Sequence, residues 1–159
     1  LLAGAVTGAN NPLRPLDPMI ASPASGAGAS EVSAGHAEFI RVKSPEAIRE
    51  KLQVASRNNT PVILDFYADW CISCKVMERN VFSDIQVAEA LRPFTLLQLD
   101  MTDNTPEQQA MLDELGLFGP PAILFYGTDG EESVDARVLG EMDREQFLNH
   151  LDRLRSRDV

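Results

Sequence analysis

Leu64-Asp65-Phe66-Tyr67-Ala68-Asp69-Trp70-Cys71-Ile72-Ser73-Cys74-Lys75 is the stretch that decides the reading of this chain. Together with Val62 and Ile63 it starts as a run that is apolar on both faces apart from Asp65, the pattern of a central strand covered on both sides. Cys71 and Cys74, the only two cysteines, follow directly. A Cys-x-x-Cys at a strand-to-helix junction is a dithiol able to close and reopen a disulfide. Half of a zinc site has the same spacing. With only His36 and His150 as further ligands of that kind, a closed four-ligand site is hard to assemble, and no metal is expected.

The whole chain fits this chemistry. Its 159 residues suffice for one domain with its own core plus a short extra segment. A formal charge of −10 argues against nucleic acid or an anionic membrane surface as a partner. Two cysteines cannot build a disulfide framework, so the pair is read as working rather than structural. No run reaches the 18 or so apolar residues of a membrane span. The opening Leu1-Leu2-Ala3-Gly4-Ala5-Val6, without a methionine, reads as the start of a piece cut from something longer.

Residues 1–36 are rich in Ala, Gly, Ser and Pro and read as a flexible linker. The domain is expected over 37–159. Phe39–Val42 is a strand candidate; Ser44 and Pro45 open a helix with Ile48, Leu52 and Ala55 on one face. The dithiol opens a second helix through Val76, Met77 and Val81, and Ser83 with Gln86 suggests a capping box for a third. Phe94–Met101 reads as a buried strand. Thr105 and Gln108 cap a helix that Gly116 stops. Phe118–Tyr126 is a strand entered through Pro120 and Pro121, Ala136–Gly140 its hairpin partner, and Asp143 with Gln146 caps the last helix. The pattern β-α-β-α-β-α-β-β-α points to an α/β sandwich, parallel at first and closed by an antiparallel hairpin.

That order of elements, the block from Asp65 to Lys75 and the late proline-entered strand resemble thioredoxin over about residues 37 to 157. Within that superfamily, Tyr67–Lys75, Glu78 and Val81-Phe82-Ser83-Asp84 resemble the C-terminal periplasmic domain of the bacterial membrane electron transporter DsbD. The opening Leu-Leu-Ala-Gly-Ala with Asn11-Pro12-Leu13-Arg14-Pro15-Leu16 resembles the segment that joins the last membrane helix to that domain. The resemblance implies a thioredoxin-like fold, a central mixed sheet flanked by helices. It also implies a protein-disulfide reductase in the periplasm, tethered to the inner membrane. Electrons would come from a transmembrane domain fed by cytoplasmic thioredoxin. They would pass to the N-terminal periplasmic domain of the same protein, and so to downstream thiol proteins, including those of cytochrome c maturation. No dissociable cofactor is expected, and the isolated domain is expected to be a monomer.

Cys71, at a helix start where free N–H groups and the helix dipole favour a thiolate, is expected to be exposed and to attack. Cys74, one turn in, is the resolving thiol. Asp65 in an apolar strand must be neutral, partnered or functional; the resemblance makes it a buried proton acceptor near Cys74. Glu78, at i+4 from Cys74 and i+7 from Cys71, shares their helix face and with Asp65 would oppose thiolate formation, unless it is an ordinary solvated residue. The resemblance gives Pro121 a cis peptide bond facing the cysteines. Trp70 is read as a cover for the dithiol, although core packing fits too. Lys75, His36 and His150 read as surface residues. Two departures from thioredoxin stand out: Ile72-Ser73 replaces Gly-Pro between the cysteines, and Pro120 precedes the expected cis-proline.

Overall fold

In the computed structural model, which describes residues 37–157, the apolar run becomes the middle strand of a five-stranded sheet. The segment 1–36, read above as a linker, and with it His36, lies outside the described residues, as do 158 and 159. In chain order the elements are β1 (Ile40–Val42), α1 (Pro45–Arg57), β2 (Val62–Tyr67), α2 (Ile72–Met77) continuing into a π turn (Glu78–Phe82), and α3 (Ile85–Ala90). They continue with β3 (Thr95–Asp100), α4 (Pro106–Leu115), β4 (Ala122–Tyr126), β5 (Val138–Leu139) and α5 (Arg144–Arg157). The sheet order is β1-β3-β2-β4-β5. β1, β3 and β2 run parallel, β4 is antiparallel to β2, and β5 is antiparallel to β4. This is the thioredoxin-like mixed sheet with helices on its faces.

All six residues of β2 are buried. Successive side chains of a strand point to opposite faces. Val62, Leu64 and Phe66 accordingly join Ile48, Leu97, Leu99 and Leu112 on one face, while Ile63 joins Met77, Phe82, Phe125, Phe147 and Leu151 on the other. By the same alternation Asp65 belongs to the second face, beneath α2 and the π turn. Phe82 anchors that layer, with edge-on contacts to Phe39 at 4.9 Å and to Phe147 at 5.7 Å between ring centroids.

Local differences from the sequence reading have identifiable causes. The helix after the dithiol does not stay α-helical to Phe82; it widens into the π turn, which buries Val81 and Phe82 side by side. The cap of α3 is Asp84, not Ser83: Asp84 Oδ1 accepts from the N–H groups of Gln86 (2.9 Å) and Val87 (3.2 Å), whereas the Ser83 hydroxyl donates back to Arg79 O. β4 begins only at Ala122, because Pro120 and Pro121 have no N–H to give to a ladder. β5 is two residues long, since Val134–Ala136 closes as a 3₁₀ turn before it. His150 is half-buried rather than on the surface: its Nε2 lies 2.6 Å from Ala136 O and its ring 5.2 Å from that of Phe125. The caps expected at Ser44, Thr105 and Asp143 are in place.

Gln108 ties α4 to the sheet. It completes the capping box with Thr105, and its Nε2 also donates to the carbonyls of Lys43 and Asp100, each at 2.9 Å. Gln108→Leu, similar in volume, would strand these buried backbone groups at about 1–3 kcal/mol for an unsatisfied group. The expected result is a clearly lower urea midpoint with unchanged slope; an unmoved midpoint would mean that water replaces the bonds.

Candidate active site

Between the end of β2 and Cys71 lies a three-residue loop, Ala68–Trp70, fastened from the β3 side. Met101 N–H donates to Tyr67 O (2.6 Å), Asp69 N–H to Thr102 Oγ1 (2.9 Å) and Trp70 Nε1–H to Thr102 O (3.3 Å). Thr102 is itself held by Asp100, whose Oδ1 accepts from the Thr102 N–H at 3.0 Å. Burial alone would push the Asp100 carboxyl up, but the Thr102 bonds, with Arg41 and Lys43 nearby, hold it below its ordinary value. Asp100 therefore remains a carboxylate and a firm acceptor. Tyr67 Oη also donates to Asp69 Oδ1 (3.0 Å).

Cys71 caps α2, its Sγ accepting from the Cys74 N–H at 3.2 Å. The two cysteines are joined as a disulfide with their Cα atoms 5.3 Å apart. The expected exposed attacking sulfur is not seen in this oxidised state: Cys71 is 7% and Cys74 4% accessible. Cys71 Sγ is bonded to Cys74 and faces the start of the helix it caps, where it accepts the Cys74 N–H. Cys74 Sγ lies 3.8 Å from Phe66 O, an acceptor for its thiol once the bond is reduced. Trp70 is 57% exposed with its ring tied to Thr102 and stands beside the pair; Ile72 and Phe118 are exposed as well. Lys75 is exposed on α2.

Asp65 is buried, and its Oδ2 accepts from Gln98 Nε2 at 2.7 Å. Burial raises its pKa to about 7; the Gln98 bond lowers it, the negative charge of Glu78 raises it, and Arg41 lowers it. Glu78 keeps the α-helical offset from Cys74 expected of it, its N–H donating to Cys74 O, and the helix widens only from there on; its carboxylate pairs with Arg41 at 3.1 Å. It still reaches Asp65 through space. The Pro120–Pro121 bond is cis. The register Phe66↔Ala122 puts Pro121 at the end of β2 that carries the loop to Cys71, with Pro121 O accepting from Gly140 N–H at 3.1 Å.

The structure thus brings Asp65 and Glu78 into one electrostatic group, but through Arg41 and Gln98, which the sequence reading did not single out. A signal was available for Gln98. It is a polar residue inside the apolar strand Phe94–Met101, as Asp65 is in its own strand, and the two are directly paired in the parallel register. Among the described residues, no three His, Cys, Asp or Glu side chains are grouped to hold a metal ion, and no helix is long and apolar enough to cross a membrane.

Residues 48–155 match the thioredoxin-like domain family. The chain is 39% identical over 154 residues to the thiol:disulfide interchange protein DsbD 1 of Pseudomonas aeruginosa, a match covering 97% of this chain and 25% of that protein. The chain spans about a quarter of the length of the curated relatives it matches. The structure resembles the oxidised C-terminal domain of Neisseria meningitidis DsbD, with 36% identity and a TM-score of 0.63, over 72% of this chain and 98% of that one. A thioredoxin from Thermus thermophilus matches at 26% identity and a TM-score of 0.58, over 73% of this chain and 86% of that one.

The Asp65 geometry has a measurable consequence for stability. The folded carboxyl, at about 7 instead of 3.8, keeps its proton across a range where the unfolded chain has released it. Stability therefore falls as pH rises from about 4 to about 7 and stays low above that. Asp65→Asn removes this dependence. Relative to wild type the variant should gain nothing at pH 4 and on the order of 3–4 kcal/mol at pH 8, read from urea unfolding. Equal differences at the two pH values would mean that Asp65 ionises normally.

Proposed function

Since this chain belongs to the thioredoxin-like family and, within it, to the C-terminal domains of the DsbD thiol:disulfide interchange proteins, we propose that it is the middle carrier in a periplasmic electron relay. Thiol–disulfide exchange is its chemistry, and it is a disulfide oxidoreductase. The proposal concerns direction and partners. A transmembrane domain of the same protein reduces the Cys71–Cys74 disulfide, and the dithiol then reduces the N-terminal periplasmic domain. Residues 1–36 act as the tether to the membrane; the similarity to the Pseudomonas protein extends over 97% of the chain and so into this segment.

What supports the reading is the disulfide at the start of α2 together with the buried carboxyl of Asp65, pushed up to about 7, on the strand that leads into it. In the reduced domain the Cys71 thiolate attacks one sulfur of the partner disulfide. A mixed disulfide forms, and the partner's other sulfur leaves as a thiolate that takes up from water the proton Cys71 released there on ionising. Cys74 gives its proton to the Asp65 carboxylate and attacks Cys71 Sγ. The Cys71–Cys74 bond re-forms, the partner's second sulfur is released as a thiolate, and Asp65 passes it the proton. Two electrons and two protons have moved to the partner, the electrons through sulfur bonds, one proton by way of water and one by way of Asp65, so the step calls for no dissociable cofactor. An acid that titrates close to the working pH is suited to both halves of that transfer.

Separate serine variants test the assignment against the oxidised N-terminal periplasmic domain. Cys74→Ser should accumulate a long-lived mixed disulfide through Cys71, visible as a reductant-sensitive band on a non-reducing gel, because the resolving thiol is missing. Cys71→Ser should trap nothing and transfer nothing. Trapping by the Cys71 variant alone would reverse the roles. No trapping by either would remove that domain as the partner.

A further inference from the structure

Gln98 is 2% accessible, and both ends of its amide are assigned by their neighbours. Arg41 Nε, 2.7 Å away, can only donate, so the atom facing it must be Oε1. That leaves Nε2 to donate to Asp65 Oδ2, also at 2.7 Å. The amide cannot flip while Arg41 holds its oxygen. Arg41 is itself fixed by two other contacts: Glu78 at 3.1 Å, and the Tyr67 ring, whose centroid lies 4.2 Å from the guanidinium carbon. The Arg41–Gln98 end opens to solvent through a cleft of about 300 Å³ lined by Phe39, Arg41, Glu78, Phe82 and Gln98 among others.

The orientation matters because the two ends of the amide favour opposite states of the acid. Nε2–H donating to Asp65 supports the carboxylate. A flipped amide would present Oε1, which accepts from a protonated carboxyl and supports the neutral acid. The groups around Asp65 come from every neighbouring element. β3 gives Gln98, β1 gives Arg41, and the π turn gives Glu78. On β4 its register partner is the apolar Ile123, and α2 carries the dithiol on the same side.

We propose that Arg41 is a positioning residue for disulfide exchange, acting through Gln98: it locks the amide in the one orientation that supports Asp65 as a carboxylate. Asp65 can then take the proton of Cys74. The inference rests on the reading of Asp65 as the proton acceptor given above. Arg41 stands on the exposed edge strand β1, distant in sequence from the dithiol, and the chain Arg41–Gln98–Asp65 reaches from that edge into the middle of the sheet.

The test is the carboxyl titration of Asp65, followed by carbon-13 NMR in the oxidised 159-residue chain, without any partner. Arg41→Met should raise the midpoint by about one pH unit, and Gln98→Leu by at least as much. Arg41→Lys, which can still donate to Oε1, should stay nearer wild type. Loss of positive charge alone would also raise the midpoint, so the decisive comparison is the double variant. If Arg41 acts through Gln98, Arg41→Met should shift the midpoint clearly less in the Gln98→Leu background, where only its direct charge on Asp65 is left to lose. An undiminished shift there would reduce Arg41 to a distant charge and overturn the proposal. A second readout needs only the Arg41 variants. The Gln98 side-chain N–H signals should follow the Asp65 titration in wild type and in Arg41→Lys, and lose that dependence in Arg41→Met. Signals unchanged in Arg41→Met would equally overturn it. These titrations use no exchange partner, so failure of the trapping experiment would not alter them and the two readings fail separately.

Discussion

A carboxyl group in the middle of a sheet, out of reach of bulk water, is the constraint on which this site depends. An uncompensated buried charge is too costly to keep, so the group either holds its proton or is given donors. Asp65 has been given part of each remedy. One amide donor and one nearby cation pull its midpoint down, burial and Glu78 push it up, and the balance rests at about 7. A stronger donor set would fix it as a carboxylate, and none would fix it as an acid. Only the intermediate arrangement yields a group that accepts and returns a proton near neutral pH.

The dithiol is built on the same elements that create this balance. β2 carries Asp65 and, one short loop later, Cys71. β3 supplies Gln98 for the carboxyl and Asp100 with Thr102 for the loop. The two strands are paired along their length in parallel register, so the acid and the disulfide are both positioned by one strand pair. The flanking helices contribute bulk and, at the π turn, one further charge. The polar residues of the site are few and lie inside an otherwise apolar sheet, while Trp70 and Ile72, the neighbours of Cys71 in sequence, remain exposed.

Much of this was legible in the sequence because it follows from local rules. The apolar run around Asp65, the Cys-x-x-Cys at its end, and the caps at Ser44, Thr105 and Asp143 fixed the order of elements, and the block from Asp65 to Lys75 carried the family resemblance. What was not legible involves partners distant in sequence. Arg41 looks like an ordinary edge-strand residue until β1 is laid beside β3. The partner of Glu78 was not legible either: its carboxylate pairs with Arg41 from the edge strand, and the π turn that follows buries Val81 and Phe82 together. Ser83 and Asp84 are both good caps, and only the path of the chain decides for Asp84. That Cys71 is covered in the oxidised state was also not legible, because the small accessible area of a sulfur at a helix start depends on the packed loop around it.

The most direct test of the account is the ionisation midpoint of Asp65 in the wild-type oxidised chain, read from its own side-chain carboxyl carbon. The account predicts a midpoint of about 7. A midpoint near the ordinary value of 3.8 would contradict it, because Asp65 would then be a fixed charge, unable to hold a proton between the two halves of the exchange.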